Sequence, residues 1–215
     1  MIDLHTHTLF SDGELLPSEL VRRAEAIGYK AIAITDHVDI SNYDFIAERI
    51  IRVTGSMKDR KIRVIAGVEI THVEPALIGS LVAKLRAMQI GLILVHGETI
   101  VEPVMEGTNR AAIDAKVDIL AHPGLIDIED ARLAATNNVG LEITSRGGHS
   151  YCNGHVANVA AKAGANLYFS TDTHKPSDLI TEEMAKLVAI GAGLSYTNIE
   201  VMFNNNSKLV SKILG

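Results

Sequence analysis

The sequence predicts an α/β fold built from repeated strand–helix units, with a closed barrel favoured over an open doubly wound sheet. Three observations carry this. Seven short apolar runs recur at spacings of roughly 22–32 residues, the length of one βα unit. The runs are rich in Ile, Leu and Val with little alternation, as expected of strands buried on both faces of a parallel sheet. Polar residues able to do chemistry follow nearly every run, whereas an open sheet would gather them at its switch point.

Taken in order, strands are expected at residues 2–5, 31–35, 63–68, 92–96, 117–121, 140–144 and 166–170. Between them a helix is expected at 17–27, opened by Pro17 and acidic Glu19 and closed by Gly28. Helices are also expected at 75–88, 153–163 and 181–190, the last opening with Thr181-Glu182-Glu183, and over 39–58. The tail, 195–214, reads as two short helices, with Thr197-x-x-Glu200 as a capping box. No composition shift or low-complexity linker interrupts the chain, so residues 1–215 are expected to form one catalytic domain.

Composition narrows the function classes. With 47% apolar and 21% charged residues over 215 positions, the chain can bury a sizeable core. No apolar run approaches the roughly 18–20 residues of a membrane span, the start carries no secretory pattern, and Cys152 stands alone. A cytoplasmic location and no membrane partner are the expectation. The net charge of −6, the absence of a basic stripe and only nine aromatics argue against long nucleic acid as a partner.

Six of nine histidines fall at expected strand ends, all at the end where βα barrels place their sites. Strand one ends in His5-Thr6-His7, followed by Ser11-Asp12-Gly13; strand two ends in Thr35-Asp36-His37; strand three in Gly67-Val68-Glu69. His96-Gly97, Ala121-His122-Pro123, Ser145-Arg146 and Asp172-Thr173-His174 follow strands four to seven. Side chains at i and i+2 of a strand face one way, so His5 with His7, and Asp172 with His174, can share one mouth. Imidazole nitrogen with carboxylate oxygen suits zinc, iron or manganese. One such residue is unremarkable; the shared register of the whole set is what points to a metal centre.

In this order, from Asp3 to His174, these motifs resemble the polymerase and histidinol phosphatase (PHP) family. The resemblance implies a distorted seven-stranded (βα) barrel, up to three divalent ions (Zn, Mn or Fe) and phosphoester hydrolysis. It implies His5, His7, Glu69 and Asp172 around one ion. Glu69 would bridge to a second ion held by His96 and His122, and a third would lie between Asp12, His37 and His174. Many relatives carry histidine where this chain has Asp12. Three such ions with Asp12, Glu69 and Asp172 leave about +3, a charge suited to a phosphate dianion. Deprotonated water between two ions is the expected nucleophile, with no protein nucleophile required.

Arg146 is the expected phosphate clamp, because its planar fork matches non-bridging oxygens. Lys175 and His149 are weaker candidates, His149 as a proton donor or substrate contact. His72 and His155 are expected outside the metal shell, and Asp36 either orients a ligand histidine or caps a helix. A small phosphomonoester is the expected substrate. A nucleotide or oligonucleotide phosphoesterase, such as a 3′ to 5′ exonuclease, is the main alternative. A non-catalytic metal-binding module is a third.

Overall fold

The computed structural model describes residues 1–215. Eight strands, all paired in parallel, run β1 (Ile2–Asp3), β2 (Ala31–Ile34), β3 (His37–Val38), β4 (Arg63–Ile70), β5 (Leu92–His96), β6 (Ile119–Ala121), β7 (Gly140–Thr144) and β8 (Leu167–Ser170). Seven follow one another around the sheet in the order β1-β2-β4-β5-β6-β7-β8, matching the seven expected runs. The eighth, β3, was not expected. It is a two-residue strand that pairs His37 and Val38 with Glu69 and Ile70 of β4, so the upper end of the second unit is stepped.

The sheet closes between β1 and β8 in two different ways. Near the mouth, Asp172 N donates to His5 O (2.9 Å) and His7 N to Thr173 O (2.8 Å), and Thr6 bridges Thr173 in parallel. The buried Asp3 carboxylate accepts from Thr171 N, Thr171 Oγ1 and His5 N across the same seam. Lower down, the side chain of Asn206 replaces a ladder: it accepts from Phe169 N and donates to Phe169 O and Ile2 O. The closed parallel barrel predicted from the strand register is therefore what forms.

Helices cover the outside: α1 (Pro17–Ala26), α2 (Tyr43–Gly55), α3 (Pro75–Ala87), α4 (Thr108–Asp114), α5 (Ile128–Asn137), α6 (Asn153–Ala163), α7 (Glu182–Gly191) and α8 (Tyr196–Leu214). Their apolar faces and the outward strand positions share one cluster of 46 buried residues. A second, smaller cluster fills the barrel. It joins Ile2, Leu4, Ala31, Ala33, Ile65, Leu92, Leu94, Ile119 and Ala121 to Leu209 and Val210 of α8.

Two expected boundaries shift for identifiable reasons. The helix expected over 39–58 begins only at Tyr43, because Asp39–Asn42 forms a turn in which Asp39 accepts from Ser41 and Asn42 accepts from Asp39 N. The tail is one 19-residue helix rather than two. Its cap is Ser195, whose hydroxyl accepts from Asn198 N, so the expected capping box on Thr197 and Glu200 does not form. The Asn204-Asn205-Asn206 run lowers helix propensity. It does not break the helix, because Asn205 and Asn206 bond to the backbone of β8.

Candidate metal centre

The strand ends deliver the predicted set to one place. His5 and His7 continue from β1, His37 lies on β3, Glu69 near the end of β4, His96 at the end of β5, and His122 just past β6. Asp172 and His174 follow β8, and Asp12 comes from the loop after His7. Local backbone serves this convergence. Asp172 (φ 55°) and His122 (φ 25°) occupy the left-handed region, which turns the chain sharply where it leaves the barrel. At Gly13 a Cβ would collide with the backbone of His7 and Thr8, so only glycine lets the Asp12 loop fold back this closely. Asp36 neither orients a histidine nor caps a helix. It accepts from the backbone and hydroxyl groups of both Thr8 and Ser11, and so braces that same loop.

The imidazoles are aimed by their other nitrogens. His5 Nδ1 donates to Glu142 Oε1 at 2.8 Å, leaving Nε2 facing Glu69 (3.3 Å) and Asp172 (3.7 Å). His174 Nδ1 faces the Asp172 carbonyl at 3.0 Å, leaving Nε2 facing Asp12 at 3.2 Å. His37 Nδ1 lies 2.6 Å from Thr71 Oγ1 and 2.8 Å from Glu69, while its Nε2 faces Asp12 at 3.4 Å. His7 Nε2 faces Asp172 at 3.2 Å, and His122 Nε2 faces Glu69 at 3.5 Å. Glu142 holds two positions at once, since its Oε2 accepts from His122 N.

Ligands about 2.0–2.1 Å from one ion sit roughly 3.0–3.4 Å apart. Most of these nitrogen–oxygen separations fall in or near that range. Moreover, His5 Nε2, both nitrogens of His7, both oxygens of Glu69 and Asp172 Oδ1 are buried with no hydrogen-bond partner. Unpaired buried polar atoms are costly and rare, and here they converge. The donors therefore fit divalent ions. Four groups have their ligand atoms within 4.8 Å of one another: His7-Asp12-His37-His174, His5-His7-Asp172, His5-Glu69-His122 and His96-His122-His149.

Charge points the same way. Burial alone would raise the carboxyls of Glu69 and Asp172, but His5 and their other imidazole neighbours hold both well below the usual range. Burial and then the neighbouring His37 push His7 down to about 3, and burial and His122 push His149 down to about 4. Those two rings are neutral at pH 7, as a metal ligand must be. His37 is lifted to about 10 because Glu69 and Asp12 outweigh its burial. A cation is thus wanted beside these carboxylates, whether a proton or an ion.

The centre opens into a cavity of about 250 Å³ lined by 11 residues, none hydrophobic. Arg146 stands in its wall, paired with Asp178 at 3.0 Å, and also lines a neighbouring cavity of about 440 Å³. Asp178 in turn accepts from the backbone of His174 and Lys175, which ties the arginine to the last strand end. Lys175 faces only the neighbouring cavity. His149 joins the centre, buried beside His96 and His122. His72 stays at the rim, and His155 lies elsewhere, bonded to Ile126 O.

Sequence reasoning missed Glu142, Glu102 and Asp178. Glu142 had a signal, being the one charged residue of β7. Glu102, one of three glutamates in the loop after β5, had none. Its carboxylate meets His96 Nε2 at 3.0 Å and His149 Nε2 at 3.3 Å. The Glu69 carboxylate instead reaches His5, His7, His37 and His122.

A closed parallel barrel with imidazoles and carboxylates gathered at its carboxyl-terminal mouth defines an α/β barrel carrying a candidate multinuclear metal centre. Residues 3–189 match the family model described as PHP domain, and the chain belongs to that family. It is 50% identical over 201 residues to an uncharacterized protein of Methanocaldococcus jannaschii, covering 92% of each chain. Among solved structures it is similar to histidinol phosphate phosphatase from Lactococcus lactis, complexed with zinc, L-histidinol and phosphate. That match has TM-score 0.64 and 18% identity, covering 90% of this chain and 94% of that one. A chain of archaeal ribonuclease P with mature tRNA matches with TM-score 0.68 and 20% identity, covering 97% of this chain and 91% of that one. At these identities the two structures show the fold. No helix is long and apolar enough to cross a membrane.

Proposed function

We propose that this chain is a metal-dependent phosphoester hydrolase acting on a small phosphomonoester. The observation that carries the reading is the convergence of buried, unpartnered imidazole nitrogens and carboxylate oxygens in a wholly polar cavity with an arginine in its wall. His5, His7, Glu69 and Asp172 would hold one ion; Glu69, His96 and His122 a second; Asp12, His37 and His174 a third. When bound, such ions supply a nucleophile at neutral pH and neutralise charge developing on phosphoryl oxygens. The remaining work belongs to the protein. Glu142 and the Asp172 carbonyl fix which nitrogen of His5 and His174 faces the centre. Arg146, held by Asp178, presents its remaining donors to non-bridging oxygens. Glu69 lies between the donor groups, buried to exclusion of solvent, and holds its negative charge where ions must sit together.

A second reading, a nucleotide or short-oligonucleotide phosphoesterase, is favoured by the larger cavity that shares Arg146. It contributes Lys175, Ser145 and Ser177, groups suited to a leaving group with further anionic or hydroxyl character. Both readings are tested by one experiment: phosphate release by protein reconstituted with Zn, Mn or Fe, across sugar, amino-acid and nucleotide phosphates. Release from amino-acid or sugar phosphates supports the first reading, and release confined to nucleotides supports the second. No release from any of them, with metal bound, would sink both.

A further inference from the structure

The loop after β5 carries a carboxylate into the centre from the solvent side. Residues 98–107 form a strap pinned at its base. Glu98 Oε1 accepts from Gly107 N (3.1 Å) and Asn109 N (2.8 Å), and Asn109 Oδ1 accepts from Glu98 N (3.0 Å). Further along, Val101 lies beside Gly148, whose φ of 87° is a conformation that strains any residue but glycine. Glu102 follows Val101 and reaches inward to His96 and His149.

Tautomers make this contact informative. His96 Nδ1 faces the carbonyl of Gly97 at 3.2 Å. A carbonyl only accepts, so Nδ1 carries the hydrogen and a neutral ring turns its Nε2 lone pair toward Glu102. A lone pair facing a carboxylate at 3.0 Å is repulsive unless a proton or a metal ion lies between them, and the metal ion is what the neighbouring histidines favour. His149 Nδ1 is likewise engaged, 2.9 Å from Thr99 Oγ1, leaving Nε2 at 3.3 Å from the other Glu102 oxygen. Both separations match two ligands sharing one ion, roughly 3.0–3.4 Å. The ligand atoms of His96, His122 and His149 lie within 4.8 Å of one another.

We propose that Glu102 and His149 complete the shell of the ion held by His96 and His122, with Glu102 as an exchangeable ligand that substrate phosphate displaces. The exchange follows from where Glu102 sits. Its side chain is 39% exposed on a strap, whereas Glu69 is fully buried on a strand. An anion arriving from solvent meets Glu102 first and competes with it for the same cation. The inference rests on the metal-centre reading above, but its test needs no turnover.

The test compares the parent with Glu102→Gln and Glu102→Asp, each checked for an unchanged melting curve in the metal-free state. Mn²⁺ binding by calorimetry should weaken at one site by roughly tenfold or more in Glu102→Gln. At saturating Mn²⁺, inorganic phosphate should bind about fivefold tighter or better, because one competing charge is gone. Glu102→Asp, one methylene shorter, should shift both in the same direction by less. Unchanged Mn²⁺ affinity in Glu102→Gln would overturn the ligand role, and unchanged or weaker phosphate binding would overturn the exchange. A parent that binds no Mn²⁺, Zn²⁺ or Fe²⁺ would instead overturn the metal-centre reading itself.

Discussion

At the floor of the barrel, Leu209 and Val210 of α8 pack against Ile2, Ile65, Leu92 and Ile119, whereas at the mouth the same strands lead to His5, Glu69, His96 and His122. The floor is apolar, and Asn206 satisfies backbone groups on both sides of the seam above it. The mouth is equally buried, yet several of its nitrogens and oxygens have no partner. One end therefore contributes stability through apolar burial and complete hydrogen bonding. The other holds like-charged carboxylates and lone pairs together, and stays unfavourable until a cation arrives. The contrast teaches that the barrel is held from below so that its upper rim can be left unsatisfied.

Glu69→Gln tests this contrast most severely. It should cut bound metal and turnover by two or more orders of magnitude. The metal-free variant should melt below the metal-free parent at pH 7, since the imidazoles of His5 and His37 lose the carboxylate they face. Elemental analysis, phosphate release and calorimetric melting check the three parts. A metal-free variant that melts with the parent would show that Glu69 serves metal alone and contributes nothing to the metal-free fold.

Leu209→Ala should do the reverse. Truncation in the interior cluster costs about 2–5 kcal/mol and lowers the melting temperature by several degrees. Metal content at saturating ion should stay that of the parent. If the variant loses metal while keeping its stability, floor and mouth are not separable.

Arg146→Ala sharpens the division within the mouth between groups for metal and groups for phosphate. Guanidinium nitrogens carry no lone pair for a cation, so metal content should hold. Loss of charge-assisted hydrogen bonds of roughly 1.5–3 kcal/mol should lower kcat/KM about 10- to 150-fold. Arg146→Lys should rescue only part of that loss, because it keeps the charge without the fork. Steady-state kinetics on the best substrate decide it, and parental activity in Arg146→Ala would reduce the residue to its ion pair with Asp178.

The smallest effect expected is at the start of α8. Ser195→Ala should cost about 1 kcal/mol by removing the hydroxyl that accepts from Asn198 N. Thr197→Ala should be nearly neutral, as its hydroxyl caps nothing. Equal losses in the two variants by chemical denaturation would restore the cap read from sequence.

Much of the candidate site was legible because its residues sit at one kind of position. His5 and His7, or Asp172 and His174, are two apart at strand ends, and that spacing is local. The groups that aim them were not legible. Glu142 lies 137 residues from His5 and Asp178 lies 32 from Arg146, so their partners are set by which strands and loops become neighbours. The same limit explains the tail. Asn206 looks like a helix breaker until Phe169 is placed beside it.

By itself the sequence determined seven of the eight parallel strands and the end at which the histidines gather. Apolar runs at βα spacing and side-chain direction along a strand are short-range properties, fixed before any long-range contact exists. The tertiary structure alone decided which carboxylate faces which imidazole. It also decided that a loop glutamate enters the centre, and that the last helix seals both the seam and the floor. Those outcomes depend on closing the sheet, which brings Asp172 N onto His5 O across most of the chain's length. Nothing in the local sequence of either segment encodes that distance.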